Sequence, residues 1–171
     1  MTRFLCLAML AFLALAPSQA LSQSNMMSMQ IGVGPHGYDF AIGTWSCTNS
    51  MPSAMSGPAS TTLTLTRSPQ GSLMFHSTGG NFDSVGYVAY NAKTKTWWNP
   101  GAVGDGSYST ESTQQTGRKT VWTGTFFDAA TRKTTPIRDT YAFGATKYTD
   151  VTQLQTGGVW KTVANVACTK S

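Results

Sequence analysis

The feature that most constrains the fold is a long alternation of short β-type segments with tight turns. Stretches rich in Thr, Val, Tyr, Phe and Trp recur from Gly43 onward, separated by turn sequences such as SPQG, TGGN, QTGR and TGG. This alternation is typical of antiparallel strands joined by hairpins. The predicted strands are Thr44–Asn49, Ser60–Arg67, Ser72–Ser77, Ser84–Tyr90, Thr96–Asn99, Tyr108–Gln114, Lys119–Phe127, Thr135–Phe143, Lys147–Gln155 and Val159–Thr169. Such a series favours an all-β fold, an antiparallel up-and-down barrel of about ten strands, because closure removes the exposed sheet edges.

Two cysteines lie at the two ends of this series. Cys47 falls on the first predicted strand and Cys168 on the last. These strands are neighbours in an up-and-down barrel, and a disulfide requires Cα atoms within about 7 Å of each other. We therefore predict a disulfide between the two residues, with two free buried thiols as the alternative. A β-sandwich can also bring its ends together, so the pair favours a barrel without excluding a sandwich.

The first twenty residues have the pattern of a cleaved secretory signal peptide. Arg3 precedes an apolar run over 4–16, and small residues up to Ala20 follow Pro17. The run is shorter than the roughly 20 residues of a membrane-spanning helix, so no stable membrane insertion is expected. We predict a signal peptide over 1–20, a flexible lead-in over 21–37, a single barrel domain over 38–171, and a secreted or periplasmic protein.

Charge and histidine content argue against several classes of partner. The formal net charge of +5 comes from scattered basic residues, several pairs of which lie at predicted turns. A nucleic-acid surface needs a basic stripe with stacking aromatic residues, so no nucleic-acid partner is predicted. The only histidines are His36 and His76, and no Cys, Asp or Glu cluster at ligand spacing accompanies them. No metal site and no cofactor are therefore predicted. The sequence does not indicate an oligomeric state.

Four motifs, in their order and spacing, resemble the DUF1579 family. They are DFAIGTW, GYVAYNAKTKTWW, VWTGTFF followed by TTPIRDTY, and GVWKTVANVACTK. That family has no established function and is similar to the lipocalin and nitrobindin-like barrels, the calycins. The resemblance covers about 38–170 and implies a closed or nearly closed antiparallel barrel of about ten strands. It does not imply any particular reaction, since none is established for the family.

Two details of the resemblance concern particular residues. Gly43 and Trp45 are similar to the lipocalin signature, in which the glycine lets the chain bend and the tryptophan closes the barrel floor under a basic side chain. Lys170 and Arg138 are the candidates for that side chain. Nitrobindin-like barrels bind haem through a histidine towards the C-terminal strands, where this chain has none, so no haem is expected.

Strand alternation predicts the residues that line the barrel interior. Trp122 and Phe126 share one face of the seventh strand with Gly124, and this face is assigned inward. Tyr148 shares a face with Asp150 on the ninth strand, although a slip of one residue would invert such an assignment. The predicted ligand-binding residues are Trp45, Trp98, Trp122, Phe126, Arg138, Tyr148 and Trp160.

Three hypotheses about function follow from this interior. The leading one is non-catalytic binding of a small, mostly apolar or amphipathic ligand, with an acidic group held by Arg138. The first alternative is a structural or interaction module whose interior is filled by its own side chains. The second is an enzyme, which is less favoured because the sequence shows no pair of carboxylates and no activated nucleophile. A cavity of some hundreds of Å³ would separate the first two hypotheses.

Overall fold

The computed structural model describes residues 37–53 and 56–171. The predicted signal peptide lies outside the described residues, as does the lead-in up to residue 36. Within the described ranges, no helix has both the length and the apolar character needed to cross a bilayer.

Ten strands follow a single 3₁₀ turn at Asp39–Ala41. They are β1 Gly43–Asn49, β2 Ser60–Arg67, β3 Leu73–Gly79, β4 Phe82–Asn91, β5 Thr96–Val103, β6 Tyr108–Thr113, β7 Lys119–Asp128, β8 Lys133–Phe143, β9 Lys147–Thr156 and β10 Val159–Lys170. Each strand pairs with the next along the chain, and β1 pairs antiparallel with β10, so the sheet closes on itself. The predicted antiparallel up-and-down barrel is confirmed, and the sandwich is excluded.

One strand runs further than its sequence indicated. We predicted a turn directly after Asn99, but β5 continues through Pro100 to Val103. Pro100 has no N–H to donate, yet Gly101 pairs with Gly86 on one side and Ser109 on the other. The ladder therefore continues beyond the proline, which interrupts a strand only where its missing donor is needed.

The barrel seam is held by the predicted disulfide. Cys47 and Cys168 stand opposite each other in the pairing of β1 with β10, with Cα atoms 4.0 Å apart, and they form a disulfide. Both are buried. Beside this bond, the Ser171 N–H donates to the Thr44 carbonyl oxygen at 2.9 Å, so the chain end also binds to the first strand.

Aromatic side chains plug the end of the barrel at which β1 begins. Tyr38 lies just before the 3₁₀ turn, and its ring centroid is 4.7 Å from that of Trp97 and 5.8 Å from that of Trp122. An ion pair between Asp39 and Arg67 ties the turn to the end of β2. This end of the barrel is therefore closed by packed rings.

Trp45 completes the plug beneath a basic side chain. It is fully buried, and its Nε1–H donates to the Ala41 carbonyl oxygen at 2.9 Å. Lys170 Nζ lies 5.1 Å from the centre of the Trp45 ring. Gly43 has a φ of +137°, and a Cβ there would lie 2.6 Å from Lys170 Cε. The glycine therefore lets the chain turn into β1 and leaves space for the lysine.

Candidate functional site

The barrel encloses a cavity of about 260 Å³. Inward-facing residues from all ten strands contribute to its wall. This volume is slightly below the range of about 300–1,000 Å³ that is typical of small-molecule sites. The interior is therefore not filled by its own side chains, and the space suits a small molecule.

The wall of the cavity is divided into an apolar side and an acidic side. The apolar side comes from β2, β3 and β4, with Leu63, Leu65, Leu73, Phe75 and Val88. The acidic side comes from β6, β8 and β9 and contains three carboxyl groups, Glu111, Asp139 and Asp150. We call these three residues the carboxyl cluster. The cavity is thus amphipathic across its width.

Strand pairing brings the carboxyl cluster together. Glu111 on β6 stands opposite Gly124 on β7. Asp139 on β8 stands opposite Trp122 on β7, and the neighbouring pair of β8 and β9 sets Asp150 opposite Tyr141. Since Glu111 and Asp139 are only 3% and 5% exposed, two of these carboxyl groups are almost fully removed from solvent.

Gly124 is the residue of β7 that stands between Glu111 and β8. A Cβ at this position would collide with the backbone of Thr110 and lie 2.8 Å from the Glu111 Cα. Strands β6 and β7 therefore approach each other closely at Gly124. No side chain of β7 separates Glu111 from the residues of β8. A glycine flanked by Trp122 and Phe126 on the same face leaves space for the acidic groups between the two rings.

Burial dominates the ionisation of the carboxyl cluster. It raises the pKa of Glu111 well above its usual value, and the charge of Asp139 and a hydrogen bond with it raise that pKa further. Burial followed by the charge of Asp139 likewise raises the pKa of Asp150. For Asp139 burial again raises the pKa, but hydrogen bonds with Thr152, Glu111 and Tyr141 oppose the effect. Asp139 is therefore the member that ionises most readily, and the other two retain their protons more strongly.

The tyrosines around the cluster stay neutral. Burial raises the pKa of Tyr141 and of Tyr148, and the charge of Asp150 adds to the effect on both. Burial also raises the pKa of Tyr38, against hydrogen bonds with Thr120 and Trp122. These phenols are therefore hydrogen-bonding groups and contribute no negative charge to the cavity.

Several buried acceptor atoms at the acidic side have no hydrogen-bond partner among the described residues. One carboxyl oxygen on each of Glu111, Asp139 and Asp150 is buried without a hydrogen-bond partner among the described residues, and so is Asn99 Oδ1. Asn99 stands directly opposite Glu111 in the pairing of β5 with β6 and lines the same cavity. Within the part of the chain that the structure describes, no Lys, Arg or His lines the cavity. A group that carries N–H donors would satisfy these oxygens.

The arrangement of the carboxyl cluster is not that of a metal centre. Among the residues that the structure describes, no group of three or more His, Cys, Asp or Glu side chains is placed to hold a metal ion. His76 lies on the outer face instead, where its Nε2 is 2.7 Å from Asp83 Oδ1.

Four of the seven predicted site residues lie inside the barrel. Trp122, Phe126 and Tyr148 line the cavity, as the strand alternation predicted. Trp45 is buried in the plug, where it packs against Tyr148 with ring centroids 5.2 Å apart. Their contact with a ligand remains a prediction.

Arg138 lies outside the barrel, which corrects its predicted interior position. Its neighbours in sequence, Ile137 and Asp139, both line the cavity, so alternation turns Arg138 outward. Its Nε and Nη2 donate to Gln153 Oε1 at 3.0 and 2.7 Å, and its guanidinium carbon lies 4.5 Å from the centre of the Trp160 ring. Arg138 therefore cannot anchor an acidic ligand in the cavity.

The two remaining tryptophans also face outward. Trp98, which was predicted to face the interior, is 37% exposed. Its neighbour Trp97 is the one that is buried, in the plug. Trp160 was predicted to line the interior, an assignment that assumes regular alternation along the whole of the last strand. A bulge between Thr162 and Ala164 inserts one residue into β10 and inverts the faces on its two sides.

Sequence reasoning missed most of the carboxyl cluster. Asp150 was placed on the same strand face as Tyr148 but was not predicted as a site residue, and neither Glu111 nor Asp139 was predicted as one. A signal was present on β8, where Asp139 alternates with Ile137 and Tyr141 and is the only acid on that face. An acid on an otherwise apolar strand face is a candidate site residue, because burying it without a partner is costly.

The fold and site define a closed antiparallel β-barrel with an internal, partly acidic cavity. No protein-family model matches the chain, and no curated protein matches it at a significant level. The resemblance to the DUF1579 family therefore stays a prediction.

Proposed function

We propose that this protein binds a small, mostly apolar molecule inside its barrel without catalysing a reaction. The observation that supports this most directly is the cavity of about 260 Å³ with its apolar side on β2, β3 and β4. That volume is about nine times the share of one water molecule in the liquid. A linear chain of about eight carbons or a single substituted ring is the size of ligand that such a space suits.

Burial of the ligand's apolar part supplies the affinity. Each buried CH₂ group contributes about 0.8 kcal/mol, so a short alkyl chain gains several kcal/mol against the side chains of β2, β3 and β4. Opposite the plug, Ser56, Phe82 and Val103 line the cavity close to chain connections. The ligand enters at this end, because the other end is closed by packed rings.

We also propose that the protein is exported and related to the calycin barrels. The signal-peptide pattern over 1–20 supports export, and so does the disulfide, because such bonds persist in oxidising compartments. The closed ten-stranded barrel supports the relationship, together with the arrangement of Gly43, Trp45 and Lys170 at its floor.

The experiment is a titration of the folded chain with octan-1-ol, followed by calorimetry and tryptophan fluorescence. Ser84→Phe places a ring in the cavity that Ser84 lines. Val85→Phe is the matched control, because Val85 is the next residue of β4 and is exposed on the outer face. We expect octanol to bind to the unchanged chain and to Val85→Phe with equal affinity.

Ser84→Phe should bind octanol at least about tenfold more weakly, a loss of roughly 1.4 kcal/mol. Circular dichroism of both variants shows whether the barrel is retained. Equal binding by the two variants would place the ligand outside the cavity, and absence of binding to the unchanged chain would remove the proposed function.

A further inference from the structure

We propose that the ligand is an amine: an apolar molecule whose protonated amino group is held by Asp139, Glu111 and Asn99. This inference rests on the proposed function, since it names the chemical class of the molecule that occupies the cavity. It replaces the acidic ligand that the sequence suggested.

Three buried side chains of the wall carry acceptor oxygens that lack a donor. Glu111, Asp139 and Asn99 are 3%, 5% and 8% exposed, and each carries an oxygen without a hydrogen-bond partner among the described residues. A buried acceptor that lacks a donor costs free energy. An ammonium group offers three N–H donors and accepts none, so it is the complement of such a cluster. Asn99 is uncharged, so it adds a buried acceptor to the wall without adding a negative charge.

The described wall of the cavity carries acids but no basic side chain. Among the described residues, none that lines the cavity is a Lys, an Arg or a His, and Arg138 is engaged on the outer face by Gln153 and Trp160. Protons must therefore neutralise most of the carboxyl cluster in the free protein. A carboxylate ligand would place a second negative charge near Asp139, the member that ionises most readily, whereas an ammonium supplies a positive charge there.

The acidic side and the apolar side of the cavity wall are formed by different strands. The carboxyl cluster comes from β6, β8 and β9, and the apolar side chains come from β2, β3 and β4. Gly124 keeps the space in front of Glu111 free of a side chain. A ligand with one charged end and one apolar end satisfies both sides in a single orientation, with its ammonium towards Asp139.

Binding of an ammonium should release protons from the protein. Burial raises the pKa of Glu111, Asp139 and Asp150, and a nearby positive charge favours their ionised forms. The other titratable groups that line the cavity are Tyr38, Tyr141 and Tyr148, whose pKa values are raised by burial so that they stay neutral. Affinity for the amine should therefore rise with pH as long as the amine itself remains protonated.

The test compares three probes that share one alkyl chain: octylamine, octan-1-ol and octanoate. We expect octylamine to bind at least about tenfold more tightly than octanol, a difference of about 1.4 kcal/mol, and octanoate to bind more weakly than octanol. Calorimetry in two buffers with different ionisation enthalpies should detect proton release with octylamine and none with octanol.

Two isosteric variants assign the residues. Asp139→Asn and Glu111→Gln should each remove most of the preference for octylamine while leaving octanol binding within about twofold. Asp83→Asn is the control, because it removes a carboxylate from the outer face of β4. If either variant fails to fold, the probe series and the proton release on the unchanged chain still decide the question.

The outcomes separate this inference from the proposed function. If octanol binds and octylamine binds no more tightly, the amine is refuted while the apolar cavity site stands. Tighter binding of octanoate would refute it as well. If octylamine is preferred but neither interior variant changes that preference, the assignment to Asp139 and Glu111 is wrong. If no probe binds, the proposed function fails and the amine with it.

Discussion

Removal of the disulfide is the perturbation whose effect can be worked out most directly from the structure. The bond joins residues that are 121 positions apart. Closing a loop of that length lowers the entropy of the unfolded chain, and the chain-entropy treatment gives about 4.9 kcal/mol of stabilisation at 25 °C. Because Cys47 and Cys168 are both buried, replacing them also leaves a small void that costs about 1 kcal/mol. The double variant Cys47→Ala/Cys168→Ala should therefore lose about 4–6 kcal/mol.

That loss is large beside the total stability of about 5–15 kcal/mol that is typical of folded domains. Urea unfolding followed by tryptophan fluorescence and circular dichroism measures the free energy of unfolding for both proteins. Reduction of the unchanged chain with dithiothreitol is the control, because it breaks the same bond and leaves the side-chain volume almost intact. Most of the loss should therefore appear on reduction as well.

A loss below about 1 kcal/mol on reduction would refute the reasoning, because the unfolded chain would then gain little freedom when the bond is broken. A double variant that is much less stable than the reduced chain would assign the loss to packing around the sulfur atoms instead.

Two further predictions concern ionisation and backbone conformation. Since burial raises the folded-state pKa of Glu111, Asp139 and Asp150, the stability that these groups contribute is complete below their unfolded pKa and is lost as the pH rises through their folded values. Tm should therefore fall as the pH rises above the ordinary carboxyl range of about 4, and Glu111→Gln should reduce that fall; a Tm that is independent of pH in both proteins would contradict this. Gly43→Ala should cost about 1–3 kcal/mol in urea unfolding, because it forces a side chain to a φ of +137° against Lys170, whereas the control Gly104→Ala has only ordinary contacts and should be nearly neutral.

The order of the strands and the seam could be predicted because their signals are local. Turn residues mark each hairpin, and a meander of hairpins has one simple way to close. Cys47 and Cys168 then had to stand on neighbouring strands, which the structure confirms. The inward face of β7 was also predictable, because Trp122 and Phe126 are bulky and flank a glycine on one face.

The direction of other side chains depended on features that the sequence does not display. The bulge in β10 turns Trp160 outward, and nothing between Thr162 and Ala164 marks it in the sequence. In the Trp97–Trp98 pair both residues are equally apolar, so hydrophobicity could not choose the inner one. A shift of one residue inverts a whole strand face, and such errors therefore affect several residues at once.

The carboxyl cluster could not be predicted as a group because it is assembled across strands. Glu111, Asp139 and Asp150 lie on three different strands, and only the closed barrel places them on one side of a cavity. Each residue alone had an ordinary interpretation as a solvated charge. Their shared burial depends on the register of three neighbouring strand pairs, which periodicity alone leaves undetermined.

The disulfide also gives the strands of the barrel a circular covalent order. Nine chain connections link β1 through β10 in sequence, and the Cys47–Cys168 bond provides the tenth link between the last strand and the first. No strand therefore has a unique position at the start or end of the sheet. A new pair of chain ends could be opened at any exposed hairpin, such as Gly157-Gly158 between β9 and β10, with every strand pair retained once the start of β1 and the end of β10 are joined by a short linker. The order of strands along the gene is thus one of several circular permutations that specify the same barrel.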